Sequence, residues 1–206
     1  MTADISGFTP LTDALVQELG PQRGVEELTA QINAVYTALI AEVNRYRGAV
    51  IGFSGDAITC WFGSWPLPED NPTLFAIACA LGMQETMKLF ANIRTPGGKE
   101  QSLHIRIAIT SGPVRRFLVG DPAIKRFDVL AGATLDRMSI AATLPGKGEI
   151  LVGPEVLASG GHLMETGETR TAQGLDFTLV KGLSIPVQTL SWQETTSSYL
   201  NLAQPD

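Results

Sequence analysis

The segments Ala3-Asp4-Ile5-Ser6-Gly7-Phe8-Thr9 and Ile51-Gly52-Phe53-Ser54-Gly55-Asp56-Ala57 decide how this chain is read. Each sets one carboxylate where an apolar strand runs into a glycine-containing bend, a place where a hard cation and a phosphate can both approach the backbone. Together they predict a two-metal phosphate site.

Outward from the first segment, a short strand over residues 2–5 passes through Ser6-Gly7-Phe8-Thr9 into a helix from Pro10, with Thr9 as its cap and Pro10 at the first helical position. Only Met1, Thr2 and Ala3 precede Asp4, so this strand reads as truncated, and neighbouring backbone groups are expected to need other partners. After Gly20-Pro21, the spacing of Val25, Leu28, Ile32, Val35, Leu39 and Val43 predicts a long amphipathic helix with one buried stripe, closed by Gly48. Apolar strands over 49–53 and 57–62 then flank the Ser54-Gly55-Asp56 bend.

Beyond that hairpin, residues 66–72 form a Pro-rich acidic loop, 73–91 a third helix, and Pro96-Gly97-Gly98 a turn. Alternation predicts a strand over 104–109, and a second over 113–119 follows the Ser111-Gly112 turn. A loop through Lys125-Arg126 reaches Phe127-Asp128-Val129-Leu130, then a helix over 133–142, a strand over 149–152 and a short helix opened by Pro154. Strands over 177–180 and 187–192 and a polar tail from Gln193 complete the chain. The order predicts an α+β sandwich of ferredoxin-like type, with a mixed, mostly antiparallel sheet and flanking helices. Residues 1–157 read as the catalytic-type domain, and 158–206 as its β-rich C-terminal extension.

Composition bounds the function. The 206 residues are 44% hydrophobic and 17% charged, enough for one sizeable core. The longest apolar run, residues 74–83, is about half of the roughly 20 residues that a membrane span requires. With no basic-then-apolar leader before Asp4, a cytoplasmic protein is expected. A net charge of -6, with no basic run longer than Arg115-Arg116, excludes a phosphate-tracking nucleic-acid surface. Cys60 and Cys79 lie inside apolar runs without metal-knuckle spacing, and read as buried reduced thiols.

The motifs ADISGFT, FSGDA, RIAITSGPV, FDVLAGATLDRMSIAA and GEILVGPEVL follow the order found in class III adenylate/guanylate cyclase catalytic domains, which residues 2–157 resemble. The likeness is strongest to the first cyclase domain of soluble-type tandem cyclases. It implies a phosphorus–oxygen lyase that converts ATP to 3′,5′-cyclic AMP and pyrophosphate in cyclic-nucleotide signalling. It also implies two Mg²⁺ or Mn²⁺ ions held by Asp4, Asp56 and the carbonyl of Ile5, with β- and γ-phosphates cradled by the N–H groups of Gly7, Phe8 and Thr9. Asp128 matches the residue that accepts a hydrogen bond from the adenine amino group; a loop aspartate bonding its own backbone is the other reading.

The departures are as informative. The purine-reading Lys of the family is Gly52 here, and the transition-state Asn and Arg are Asp136 and Ile140 in the Gly132 register, or Leu135 and Ser139 counted from Asp128. Arg137 lies one position, about 100°, around the helix from the Arg position and is expected to point elsewhere. The resemblance therefore implies a metal-bearing half that needs a second cyclase domain, in tandem or as a dimer, for its Lys, Asn and Arg, with little activity alone. A noncatalytic pseudo-cyclase that regulates or dimerises and still binds Mg-ATP is the alternative. Bicarbonate control is not expected, because Gly52 and Ile140 also replace its Lys and Arg.

Other features take plainer readings. His104 and His162 have no second His or Cys at ligand spacing. Arg115-Arg116 places one side chain toward solvent and the other toward an anionic substrate if it lies on a strand. Phe53, Trp61, Phe62 and Trp65 read as hairpin and interface packing rather than base-stacking residues.

Overall fold

In the computed structural model, residues 1–63 and 71–189 are described, with the backbone alone at position 128. The chain begins with β1 (Thr2–Ser6), α1 (Phe8–Leu19), α2 (Pro21–Arg45), β2 (Ala49–Ser54), β3 (Ala57–Trp61) and α3 (Pro72–Met87). A small hairpin, β4 (Ile93–Arg94) with β5 (Glu100–Gln101), then leads to β6 (His104–Ile109). A ribbon of β7 (Arg115–Val119) and β8 (Phe127–Ala131) precedes α4 (Ala133–Ala141), β9 (Ile150–Val152), α5 (Pro154–Gly160), β10 (Met164–Ala172) and β11 (Leu175–Leu183).

Seven strands form one sheet in the order β10-β11-β9-β6-β1-β3-β2. All its pairings are antiparallel except β6 with β9. This is the expected mixed, mostly antiparallel α+β sandwich. Alternation along β6 divides its faces: Ile105, Ile107 and Ile109 pack with α2 and α3 residues such as Leu39 and Met83, while Ala108 joins Met138 and Ala141 of α4. Alternation of this kind is why the sequence pattern of β6 is legible.

β1 is central, paired to β3 on one edge and β6 on the other over five residues. The expected shortage of backbone partners is absent, because Met1 exchanges bonds with Cys60: its amino group donates to the Cys60 carbonyl at 3.0 Å, and the Cys60 N–H donates to the Met1 carbonyl at 2.8 Å. Cys60 and Cys79 are both free and buried as expected, and burial pushes the Cys60 thiol up to about 11.

Several boundaries differ from expectation for physical reasons. The helix begins at Phe8, not Pro10, and its cap is Gly7 in the left-handed region at φ 111°; Thr9 lies inside the first turn. The backbone of Gly7 ends the strand without a side-chain cap, so the Thr9 hydroxyl has no capping task. Val25 is 52% exposed: at this end of α2 the approach to Val16 of α1 is made by Gly24, and the stripe packs on the core from Leu28 onward. α3 ends at Met87 and tightens into one 3-10 turn before the β4–β5 hairpin.

β7 does not extend the main sheet: it pairs only with β8, and all its residues are exposed. The polar edge strand β10 was not anticipated, and β11 is longer than the strand expected over 177–180. No strand follows β11 through residue 189; the remainder of the expected 187–192 strand, the tail, Trp65 and most of the 66–72 loop lie outside the described residues.

Candidate active site

The site is built at the end of β1. Antiparallel register sets Asp4 opposite Ala57 of β3, one residue past Asp56, and the Ile5 N–H donates to the Asp56 carbonyl at 3.1 Å. The turn carrying Asp56 is made by Gly55 at φ 62°, in open space. The same strand end opens into α1, so Gly7, Phe8 and Thr9 lie beside the two aspartates, with first-turn N–H groups that no preceding helical carbonyl can satisfy. The structure thus brings together Asp4, Ile5, Asp56, Gly7, Phe8 and Thr9.

The electrostatics of this group are those of two acids sharing a small space. The Asp56 carboxyl is held above the usual carboxylate range, first by desolvation and then by the Asp4 charge and hydrogen bond, against the lowering effect of its own backbone N–H and of Arg106. Asp4 is hydrogen-bonded and ion-paired to Arg106, its register partner on β6. Sequence reading quoted Arg106 inside RIAITSGPV and gave it no role, because only the register of β1 on β6 places it there.

A cavity of about 370 Å³ adjoins Asp56, lined by Phe8, Thr9, Thr12 and Asp13 of α1, Leu28, Ile32 and Tyr36 of α2, and the Gly55–Asp56 turn. Tyr36 is a second residue that sequence reading missed. Its ring meets Phe53 edge-on at 5.2 Å and 83°, which seats α2 against the strand leading to Asp56. Phe53 and Trp61 are accordingly hairpin residues, although each keeps a large exposed area.

The donor set suits a hard cation. Among the described residues no group of three or more His, Cys, Asp or Glu side chains is placed to hold a metal, so a cation here would rest on the two carboxylates with a strand carbonyl. An ion such as Mg²⁺, which takes one or two carboxylates and completes its shell with waters and substrate phosphates, fits such a set. The like charges that raise the Asp56 carboxyl are what a cation at this point would relieve.

Other candidates lie elsewhere. The backbone of Asp128 is on β8, opposite Leu118, in a sheet that contains neither β1 nor β3. Asp136 is exposed and Ile140 packs in the smaller core cluster, both on α4. Arg137 points away from the aspartates: its Nη2 donates to the Ser111 carbonyl at 3.0 Å and its Nε lies 2.8 Å from Glu155. Gly52 sits beside a bulge in β2, and a Cβ there would meet nothing within 4 Å. His104 contacts Ser102 at 3.2 Å, and Arg115 is exposed on β7. No helix among the described residues is long and apolar enough to cross a membrane.

Comparison with known proteins agrees with this architecture. No family model matches the chain. Adenylate cyclase type 10 of Oryctolagus cuniculus is 25% identical over 154 residues, 75% of this chain and 9% of the relative, and the Homo sapiens protein matches equally. The chain thus spans about a tenth of the length of these relatives. Among solved structures, the guanylyl cyclase Cya2 superposes with TM-score 0.72 at 20% identity, covering 91% of this chain and 93% of that one. The non-canonical dimeric guanylyl cyclase domain of the RhoGC fusion protein from the aquatic fungus Blastocladiella emersonii gives 0.69 at 18%, covering 88% and 94%. The adenylyl cyclase CyaB from P. aeruginosa gives 0.67 at 19%, covering 88% and 91%. Sheet topology and these likenesses show that the chain has the fold of adenylyl and guanylyl cyclase catalytic domains, and its sequence is similar to part of adenylate cyclase type 10.

Proposed function

We propose that this chain is the metal-bearing half of a nucleotide cyclase that forms 3′,5′-cyclic AMP and pyrophosphate from ATP together with a second cyclase domain. The observation that carries the reading is the convergence of Asp4 and Asp56 beside the first turn of α1. Asp4, Asp56 and the Ile5 carbonyl would hold the two divalent ions, Mg²⁺ or Mn²⁺. When bound, such ions supply charge neutralisation on the triphosphate and lower the pKa of the ribose 3′ hydroxyl.

The chain's own groups do the rest of its half. The N–H groups of Gly7, Phe8 and Thr9 bind the β- and γ-phosphate oxygens, favoured by the positive end of α1. Arg106, anchored on Asp4, adds a cation beside the aspartate cluster that can face a bound phosphate. Asp128 is assigned to the adenine amino group; its place on the β7–β8 ribbon, outside the aspartate cluster, is consistent with a base held at the junction of two domains. The half lacks donors to the transferring phosphate, since α4 offers Asp136 and Ile140, and these must come from the partner. Arg-type donors in phosphoryl transfer are worth about 10³–10⁵ in rate, so the chain alone is expected to be nearly silent.

Residues 1–157 and the extension at 158–206 are assigned to one domain, since β10 and β11 complete the same sheet. A cytoplasmic setting, where ATP is available, goes with this reading. One observation favours a second reading, a noncatalytic pseudo-cyclase that binds Mg-ATP: the guanidinium of Arg137 is already tied to Ser111 and Glu155.

The decisive experiment is cyclic AMP formation from Mn-ATP by the chain alone and mixed with a second cyclase domain bearing the Lys, Asn and Arg, with Asp56→Ala as control. Activity only in the mixture, lost in the control, is the expected result. Association without activity selects the pseudo-cyclase.

A further inference from the structure

The two aspartates are not equally supported. Asp4 has a donor, the Nε of Arg106. Among the described residues no donor side chain is hydrogen-bonded to Asp56; its carboxyl meets its own backbone N–H and Asp4, and Arg106 reaches it only through charge. A carboxylate that ligates a cation is ordinarily held by an outer hydrogen-bond donor, and one without such a donor is free to rotate out of position.

The cavity beside Asp56 contains three hydroxyls. That of Thr12 is committed to the Phe8 carbonyl at 2.7 Å. Thr9 is exposed on the first turn of α1, on the phosphate side. Tyr36 enters from α2, half-buried, with its ring fixed by the edge contact to Phe53 three residues before Asp56, and its hydroxyl donates to no described residue. We propose that Tyr36 is a positioning residue of this site: its phenol O–H, which makes no hydrogen bond to Asp56 in this structure, takes the Asp56 carboxylate as its acceptor when a cation is bound.

Burial and the negative charges of Asp56 and Asp4 also hold the phenol above its usual pKa, so it keeps the proton that the role requires. The edge contact with Phe53 places the Tyr36 ring beside the strand whose following turn presents the carboxylate. The inference rests on the metal-site reading above and concerns which group orients one of its ligands.

The test is Mn²⁺ binding to the full chain by electron paramagnetic resonance, in the wild type, Tyr36→Phe and Asp56→Asn. The tyrosine ultraviolet difference spectrum on adding Mn²⁺, and the melting temperature of each, accompany it. Tyr36→Phe keeps the ring contact with Phe53, so melting is expected to be unchanged while Mn²⁺ affinity falls by about tenfold, the usual effect of losing an outer-shell partner. A tyrosine difference signal in the wild type should be absent in both variants. Unchanged affinity in Tyr36→Phe, or a tyrosine signal that survives in it, overturns the role of Tyr36 while leaving the metal site standing. Equal binding by wild type and Asp56→Asn overturns the metal site, and the role of Tyr36 with it.

Discussion

Asp4 on β1 and Arg106 on β6 are register partners joined by an ion pair at the mouth of the aspartate cluster. A guanidinium therefore rests against one of the two carboxylates assigned to divalent ions. The arginine is 44% exposed and the aspartate 17%, so the pair is well solvated on one side and is worth about 1 kcal/mol at most.

Replacing Arg106 with Gln should release Asp4. Free Mn²⁺ should then bind up to about fivefold tighter by titration calorimetry at low salt, the equivalent of that 1 kcal/mol, and the advantage should shrink in high salt. Mn-ATP should bind more weakly, because a phosphate-facing cation is gone. Tighter binding of both ligands would contradict the assignment of Arg106 to the phosphate side.

Gly7 and Gly55 both have positive φ but differ in their surroundings. A Cβ on Gly7 would sit 2.4 Å from the Ser102 carbonyl oxygen, whereas one on Gly55 would meet nothing within 4 Å. Gly7→Ala should cost about 1–3 kcal/mol in urea unfolding, and Gly55→Ala about 1. Equal costs would show that the strand-to-helix junction yields more easily than this packing implies.

The β7–β8 ribbon turns Phe117, Val119, Phe127 and Val129 to one face, 43–55% exposed. Such a contiguous apolar face suits the second cyclase domain. Phe117→Ser with Phe127→Ser should weaken association with that domain by tenfold or more in sedimentation or calorimetry. Melting of the isolated chain should move little, because these side chains contribute little to its core.

Acid stability should depend on Arg170. Its fork holds both oxygens of Glu149, at 2.6 and 2.9 Å, and keeps that carboxyl below its ordinary value of 4.5. A depressed carboxyl stabilises the fold above the unfolded pKa and loses that contribution as pH falls through the folded one. Arg170→Met should therefore lower the melting temperature at neutral pH, with the difference from wild type closing as pH drops below 4.5. A difference constant with pH would mean that Arg170 acts through packing alone.

Much of this was legible in the residues themselves. Helical periodicity from Leu28 to Val43 marks α2, the glycine bend marks the β2–β3 turn, and alternation marks β6. Each signal is local, and the face it buries is continuous along its own element. β10 was not legible, because an edge strand with irregular register lets Glu165, Thr166 and Glu168 face water and so has no apolar alternation to read. The β7–β8 ribbon was legible only in part: the strand expected over 113–119 contains β7, but β8 was not expected, and that the two pair only with each other is decided by register.

That the two aspartates lie near glycine bends, Asp4 within β1 and Asp56 in the β2–β3 turn, follows from residue type and spacing alone. Which groups those aspartates meet does not. Arg106 reaches Asp4, and Tyr36 reaches the Asp56 cavity, only through strand register and the docking of α2, which join residues far apart in the chain. Pattern along a sequence encodes which face of an element is buried; it carries no record of what the opposite strand or helix brings to that face.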